Sequence, residues 1–217
     1  MPRLRRKSRK STFGAAIGRR LSRSFGGDGG FFHEVPSEEE RFLEDMYDIV
    51  MENAGRPNDR SIFDPPYEIL DDFVYMGTSA QAMDVAQLKE MGITRVINFE
   101  ASNHENDTNA AMYEQQGIKY LEFNCSDTED YDMVQHFPES YKFIEEAKGE
   151  GKVLLYSVKG INLCGFICVA YTLVSKRLDL LLALRHCAEK RGLILLNGAF
   201  RKQLYNFARD QDALDVV

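Results

Sequence analysis

The chain contains no tryptophan, only four cysteines in 217 residues, and no apolar run longer than Leu163–Val174. That run falls short of the roughly 20 apolar residues of a membrane-spanning helix. No apolar stretch with a small-residue cleavage site opens the sequence, so export is not expected. Cys125, Cys164, Cys168 and Cys187 show no paired Cys-x-x-Cys spacing, which argues against a disulfide framework or a zinc site. No metal or other cofactor is expected, and reduced thiols in an intracellular protein follow. With 44% hydrophobic and 28% charged residues, wholesale disorder and fibrous classes are excluded as well.

Acidic residues outnumber basic ones, and the distribution is lopsided. Residues 1–30 carry nine basic side chains and one acid, +8, against −15 for the remainder, which together make the net −7. A basic tail on an acidic body is the expected organisation. An acidic body lacks the Lys and Arg that phosphate contacts require, so sequence-specific nucleic-acid binding is not expected. Arg5-Arg6-Lys7-Ser8 and Arg19-Arg20-Leu21-Ser22 repeat a basic-basic-x-Ser pattern that resembles sites of basophilic kinases. Phosphates on Ser8 and Ser22 would each add about −1.5 to −2 charges. Phe13, Ile17, Leu21 and Phe25 recur every four residues beside arginines, a stripe suited to an anionic membrane. A nuclear import signal, a mitochondrial presequence and a solvated arm are the other readings of the tail. The expected address is cytoplasmic or nuclear, with mitochondrial targeting by the tail as a further alternative.

Four regions follow from composition: a disordered basic tail (1–30), an acidic helix with its linker (31–65), a main domain (66–212) and a C-terminal tail (213–217). Gly26-Gly27-Asp28-Gly29-Gly30 has flexible-linker chemistry. Ser37-Glu38-Glu39-Glu40 reads as a capping box. Phe42, Leu43, Met46, Tyr47 and Val50 then fall at helical spacing, so this helix should dock by one face. In the main domain, short strands at 73–76, 95–99, 119–124 and 152–156 alternate with helices at 81–91, 137–148, 165–175, 180–191 and 199–210. Met83, Ala86 and Leu88 are expected to point inward from the first of these helices. Alternating strands and helices predict an α/β fold with a central, mainly parallel sheet flanked by helices.

The segment richest in chemistry is Tyr156-Ser157-Val158-Lys159-Gly160-Ile161-Asn162-Leu163-Cys164-Gly165. It joins a buried strand to a buried helix, where backbone amides and a helix N-terminus converge on an anion. A tight turn with Gly160 at an unusual φ is the plainer reading. It lacks the Lys-Ser or Lys-Thr pair of a Walker loop.

Residues 66–212 resemble the cysteine-dependent dual-specificity protein phosphatases, particularly the small atypical ones. The resemblance runs through Phe73-Val74-Tyr75-Met76-Gly77-Thr78, Gly92-Ile93-Thr94-Arg95-Val96-Ile97-Asn98, Asp127 to Phe137, Lys152-Val153-Leu154-Leu155 and Phe166 to Val174. It closes with Arg191, Leu193, Asn197, Phe200, Gln203 and Leu204. The family's signature is His-Cys-x-x-Gly-x-x-Arg followed by Ser or Thr. Aligned on Gly160, this chain places Tyr156 at the histidine, Ser157 at the nucleophile, Leu163 at the arginine and Cys164 at the hydroxyl residue.

The resemblance therefore implies the fold together with an inactive member, a pseudophosphatase. A serine without an adjacent base has no route to an alkoxide, and leucine cannot hold phosphoryl oxygens in a planar fork. Asp127 stands at the family's general-acid position; as a residue type in a turn, however, it reads first as a capping carboxylate. Lys159 either lends charge to an anion or is a solvated loop residue. Cys164, at a helix N-terminus, should have a lowered pKa, whereas Cys168 reads as a buried hydrophobe. The resemblance implies protein partners, phosphoproteins or kinases of a signalling pathway, approached by covering, competing or scaffolding. An active protein Tyr/Ser/Thr phosphatase with weak or rerouted catalysis is the alternative.

Overall fold

The computed structural model describes residues 35–54, 64–100 and 106–214. The basic tail with Ser8 and Ser22, the glycine hinge, most of the linker after the first helix and residues 215–217 lie outside the described residues. From Pro36 onward the chain clusters into one unit.

The first helix, α1 (Glu38–Ala54), begins as the sequence predicts. Glu40 N–H donates to Ser37 Oγ at 3.1 Å, and Ser37 N–H donates to the Glu40 carboxylate at 2.7 Å. Phe42, Met46, Ile49 and Val50 are buried while Tyr47 is exposed. Burying side chains of this size contributes about 1.5–3 kcal/mol each, so α1 is part of the main core rather than an appendage.

Five strands form one sheet: β1 (Tyr67–Leu70), β2 (Val74–Thr78), β3 (Ile93–Asn98), β4 (Lys119–Glu122) and β5 (Lys152–Ser157). Their order is β1-β2-β5-β3-β4; β1 runs antiparallel to β2 and the other pairs are parallel. This is the mainly parallel α/β sheet expected, with β1 as an added edge strand. The period of two divides the side chains between two cores. Val74, Met76, Ile97, Val153 and Leu155 join the larger core; Tyr75, Val96, Leu154 and Tyr156 join the smaller one. Central β5 is buried from Val153 to Ser157, as a strand covered on both faces must be.

Two short helices, α2 (Ser79–Met83) and α3 (Val85–Glu90), replace the single helix expected at 81–91. Asp84 is the reason: its carboxylate accepts from Gln87 N–H at 3.0 Å and starts a new helix. The break turns Met83 and Ala86 outward, correcting their inward assignment, and leaves Leu88 buried. The remaining helices are α4 (Asn106–Gln115), α5 (Phe137–Glu145), α6 (Leu163–Lys176), α7 (Leu180–Arg191) and α8 (Gly198–Asp210). Residues Leu163–Leu173 of α6 are all buried, which explains its continuous apolar sequence. Helix α1 packs on α7 and α8; Phe42 meets the Tyr205 ring edge-on at 5.3 Å. No helix among the described residues is long and apolar enough to cross a membrane.

Candidate functional site

Ser157 ends β5 and lies beside Thr78 in the parallel register. The strand's alternation sends Ser157 to the side of Val153 and Leu155 and sends Tyr156 to the opposite core. Ser157 is only 4% exposed, and its Oγ lies 3.4 Å from the Cys164 Sγ. Leu163, the first residue of α6, is buried in the larger core.

Between them the chain turns sharply. Gly160 N–H donates to Ser157 O at 3.2 Å, and Gly160 has φ +59°. A Cβ there would stand 2.6 Å from the Gly77 carbonyl oxygen, so both the conformation and the space demand glycine. Behind the loop sits the buried Arg191. Its Nε donates to Gly160 O at 3.0 Å and its Nη2 to Lys159 O at 3.3 Å, with the guanidinium 4.4 Å above the Tyr67 ring. Its Nη1 is buried without a hydrogen-bond partner. Leu195 N–H holds Ile161 O at 3.2 Å. In a planar trans peptide the N–H points opposite the C=O. Pulling the carbonyls of Gly160 and Ile161 backward therefore turns the amides of Ile161 and Asn162 toward the front, the arrangement that receives anions.

One front amide has an internal partner. Val158 N–H donates to the Glu100 carboxylate at 2.6 Å. Glu100 follows β3 directly; its own N–H is held by Asn98 Oδ1 at 2.9 Å, and it bridges to Asn124. Nothing in the sequence marks this residue, which meets the loop across 58 positions.

Asp127 faces the same loop. Its carboxylate accepts from Asn162 Nδ2 at 2.8 Å and from Asn197 Nδ2 at 3.0 Å. Asn197's backbone N–H in turn donates to Asn162 Oδ1 at 3.2 Å, closing a ring of three residues. Asn197 also caps α8, accepting from Ala199 and Phe200 N–H. The turn-capping reading of Asp127 gives way: its partners are side-chain amides 35 and 70 residues away. Gln203 secures the segment further along, accepting from Met133 N–H at 2.8 Å and donating to Tyr131 O at 2.7 Å.

A family model for the dual specificity phosphatase catalytic domain matches residues 74–210. The chain belongs to this family. Human and cattle dual specificity protein phosphatase 26 are each 30% identical over 133 residues, 60% of this chain and 62% of theirs. The match thus spans less than two thirds of these relatives' length. Among solved structures, human DUSP28 aligns with a TM-score of 0.60 at 21% identity, covering 69% of this chain and 97% of that one. The human tyrosine phosphatase-like serine/threonine/tyrosine-interacting protein aligns with a TM-score of 0.58 at 24% identity, covering 69% and 99%. These likenesses bear on the fold.

Within this dual-specificity phosphatase fold the thiols are uniformly unfavourable for ionisation. Burial pushes Cys164 up to about 11, although Ser157 and the Arg191 charge pull the other way. This overturns the lowered pKa expected from its place at a helix N-terminus: full burial outweighs the helix end. Burial likewise raises Cys125 to about 11, Cys187 to about 12, and Cys168 well above its ordinary value. His186, beside Cys187 in sequence, points elsewhere and meets Ile69 O at 2.7 Å. Tyr156 lies with Tyr113 and Tyr120 in the smaller core, and burial strongly raises its phenol pKa. Lys159 and Val158 are exposed on the loop, and Ile161 is half-buried. Loop, Asp127, Asn197 and Arg191 therefore come together, while Tyr156 faces away.

Proposed function

We propose that this chain is a non-catalytic member of the dual-specificity phosphatase family that acts by binding. One observation carries the reading: the strand end presents the Ser157 hydroxyl, buried against the Cys164 thiol, whose pKa burial raises. A hydroxyl attacks phosphorus only with a base to take its proton. Leu163, packed in the core, supplies no donor to a phosphoryl group. Charged hydrogen bonds contribute roughly 1.5–3 kcal/mol each, so a missing bidentate pair weakens oxyanion binding about 10²-fold or more. Asp127 has no leaving group to protonate and instead ties its loop to Asn162 and Asn197.

The protein then works by covering a phosphorylated partner, by competing with active phosphatases for a docking surface, or by scaffolding a signalling pathway. Its partners are proteins, phosphoproteins or kinases among them, and the basic tail contacts an anionic membrane or an import receptor inside the cell. A second reading, a slow or rerouted phosphatase, draws support from Asp127, whose carboxylate stays at the loop. Hydrolysis of an aryl phosphate by the purified protein separates the two. No turnover above buffer is expected; robust turnover lost on Asp127→Asn would establish the second reading.

A further inference from the structure

The Glu100 carboxylate has no part in that reading, yet it holds the loop's first amide. It takes the Val158 N–H at 2.6 Å, a short, charge-assisted hydrogen bond. Val158 is the first loop residue after Ser157, so its amide is one of those that would meet an oxyanion seated over the strand end. The carboxylate is held from its own backbone: Glu100 N–H on Asn98 Oδ1 and the bridge to Asn124 place it where β3 leaves the sheet. It is only part-buried, so it lies at the mouth rather than within the core.

Positive groups lie along the loop, with the Asp127 carboxylate facing it at Asn162. Arg191 stands behind the loop, with two donors on loop carbonyls and its Nη1 buried without a partner. Lys159 is exposed beside Val158, and α6 begins at Leu163 with its N-terminus toward the loop. Leu163 removes one cation, but these sources remain. A site with positive potential and converging amides recruits an anion, and here the chain contributes one itself.

We infer that Glu100 is a built-in plug, an internal carboxylate that fills an oxyanion site retained by the loop and keeps tetrahedral oxyanions out. This inference rests on the reading of the loop as non-catalytic and extends it: weak oxyanion affinity arises from an occupied site as well as from the missing arginine. The chemistry excluded is that of phosphate, either as the free ion or as a monoester, since a carboxylate and a phosphate oxygen compete for the same amide. Truncating Glu100 removes both the occupant and the repulsion between like charges, whereas neutralising it removes the repulsion alone.

The test is titration of the full chain and its Glu100→Ala and Glu100→Gln variants with inorganic phosphate and with phenyl phosphate, followed by calorimetry and by the Val158 amide resonance. Glu100→Ala should bind at least one of the two at least tenfold tighter than the wild type. Glu100→Gln should fall between, because its amide oxygen still occupies the mouth without charge. The Val158 resonance should move with ligand in the variants and stay still in the wild type at the same concentration. Tightening for phosphate alone assigns the site to the free ion; tightening for both admits the ester. Affinities within twofold of the wild type in both variants, with unchanged melting temperatures, would overturn the plug. So would a wild type whose Val158 amide already reports binding as tight as that of Glu100→Ala. Should Glu100→Ala fail to fold, the isosteric Glu100→Gln decides by the same criteria. Hydrolysis by the wild type would sink the non-catalytic reading while leaving the inorganic phosphate titration intact, so the two claims fail separately.

Discussion

Placing a thiol at position 157 is the sharpest probe of the proposed non-catalytic loop. A Ser157→Cys side chain would occupy the site where Ser157 is 4% exposed, next to a neighbouring thiol raised by burial to about 11. Each pKa unit is a factor of ten in ionised fraction, so a thiol sharing that desolvation is about 10⁻⁴ thiolate at pH 7. On the proposed alignment, Leu163 in place of an arginine adds about 10²-fold. Together these leave the variant about a millionfold below an ionised, arginine-assisted nucleophile. The Ser157→Cys/Cys164→Ser pair isolates the new thiol and keeps the 3.4 Å contact between a sulfur and a hydroxyl. Alkylation by iodoacetamide across pH, read peptide by peptide by mass spectrometry, gives the thiol's midpoint directly. It should lie above about pH 9, with no aryl phosphate hydrolysis at pH 7. A midpoint below pH 7 would refute the reasoning, because amides and helix end would then still outweigh burial.

Three further outcomes follow from the geometry. Gly160→Ala, with φ +59° and its Cβ 2.6 Å from Gly77 O, should cost about 2 kcal/mol or more; a melting temperature unchanged from the wild type would show a different loop. Met46→Ala, emptying a fully buried site under α1, should cost about 2–5 kcal/mol, seen as a lower urea midpoint at constant slope, and a loss below about 0.5 kcal/mol would show that α1 does not dock as described. Asp127→Ala removes two partly solvated hydrogen bonds from side-chain amides, so the segment around it should open by about 1 kcal/mol, giving roughly fivefold faster amide exchange there and no change at β5; uniform exchange across both would count against the Asp127–Asn162–Asn197 ring.

The parts of this structure legible in the sequence are those set by local chemistry. Ser37 and Glu40 announce α1 because both halves of the capping box lie within one turn. The continuous apolar runs of β5 and α6 announce a buried strand and a buried helix. Gly160 marks a turn because no other residue fits there. What escaped reading depends on few residues or on distant ones. Tyr67–Leu70 is a four-residue edge strand against Pro66, too short for alternation to speak. Asn106–Gln115 has a polar composition with little apolar period. Asp84 divides a stretch that looks like one helix, since a cap for the second helix also passes as a surface residue of a longer one.

The site shows the same division more severely. Ser157 and Leu163 are read by alignment on a single glycine, and Asp127 from the likeness of its own loop to the family's. The Glu100 contact and the Asp127–Asn162–Asn197 ring join residues separated by 35 to 70 positions, and no local pattern encodes them. The Cys164 pKa went the wrong way for a related reason. Proximity to a helix N-terminus is visible in sequence, whereas complete burial is a property of the packed core.

The most direct measurement is intact mass of the purified protein after incubation with an aryl phosphate, with the released aryl alcohol quantified in the same sample. A chain that binds rather than catalyses keeps its mass and releases no alcohol above buffer. A phosphoryl adduct on Ser157, or alcohol released in excess of protein and dependent on Asp127, would contradict the non-catalytic reading outright.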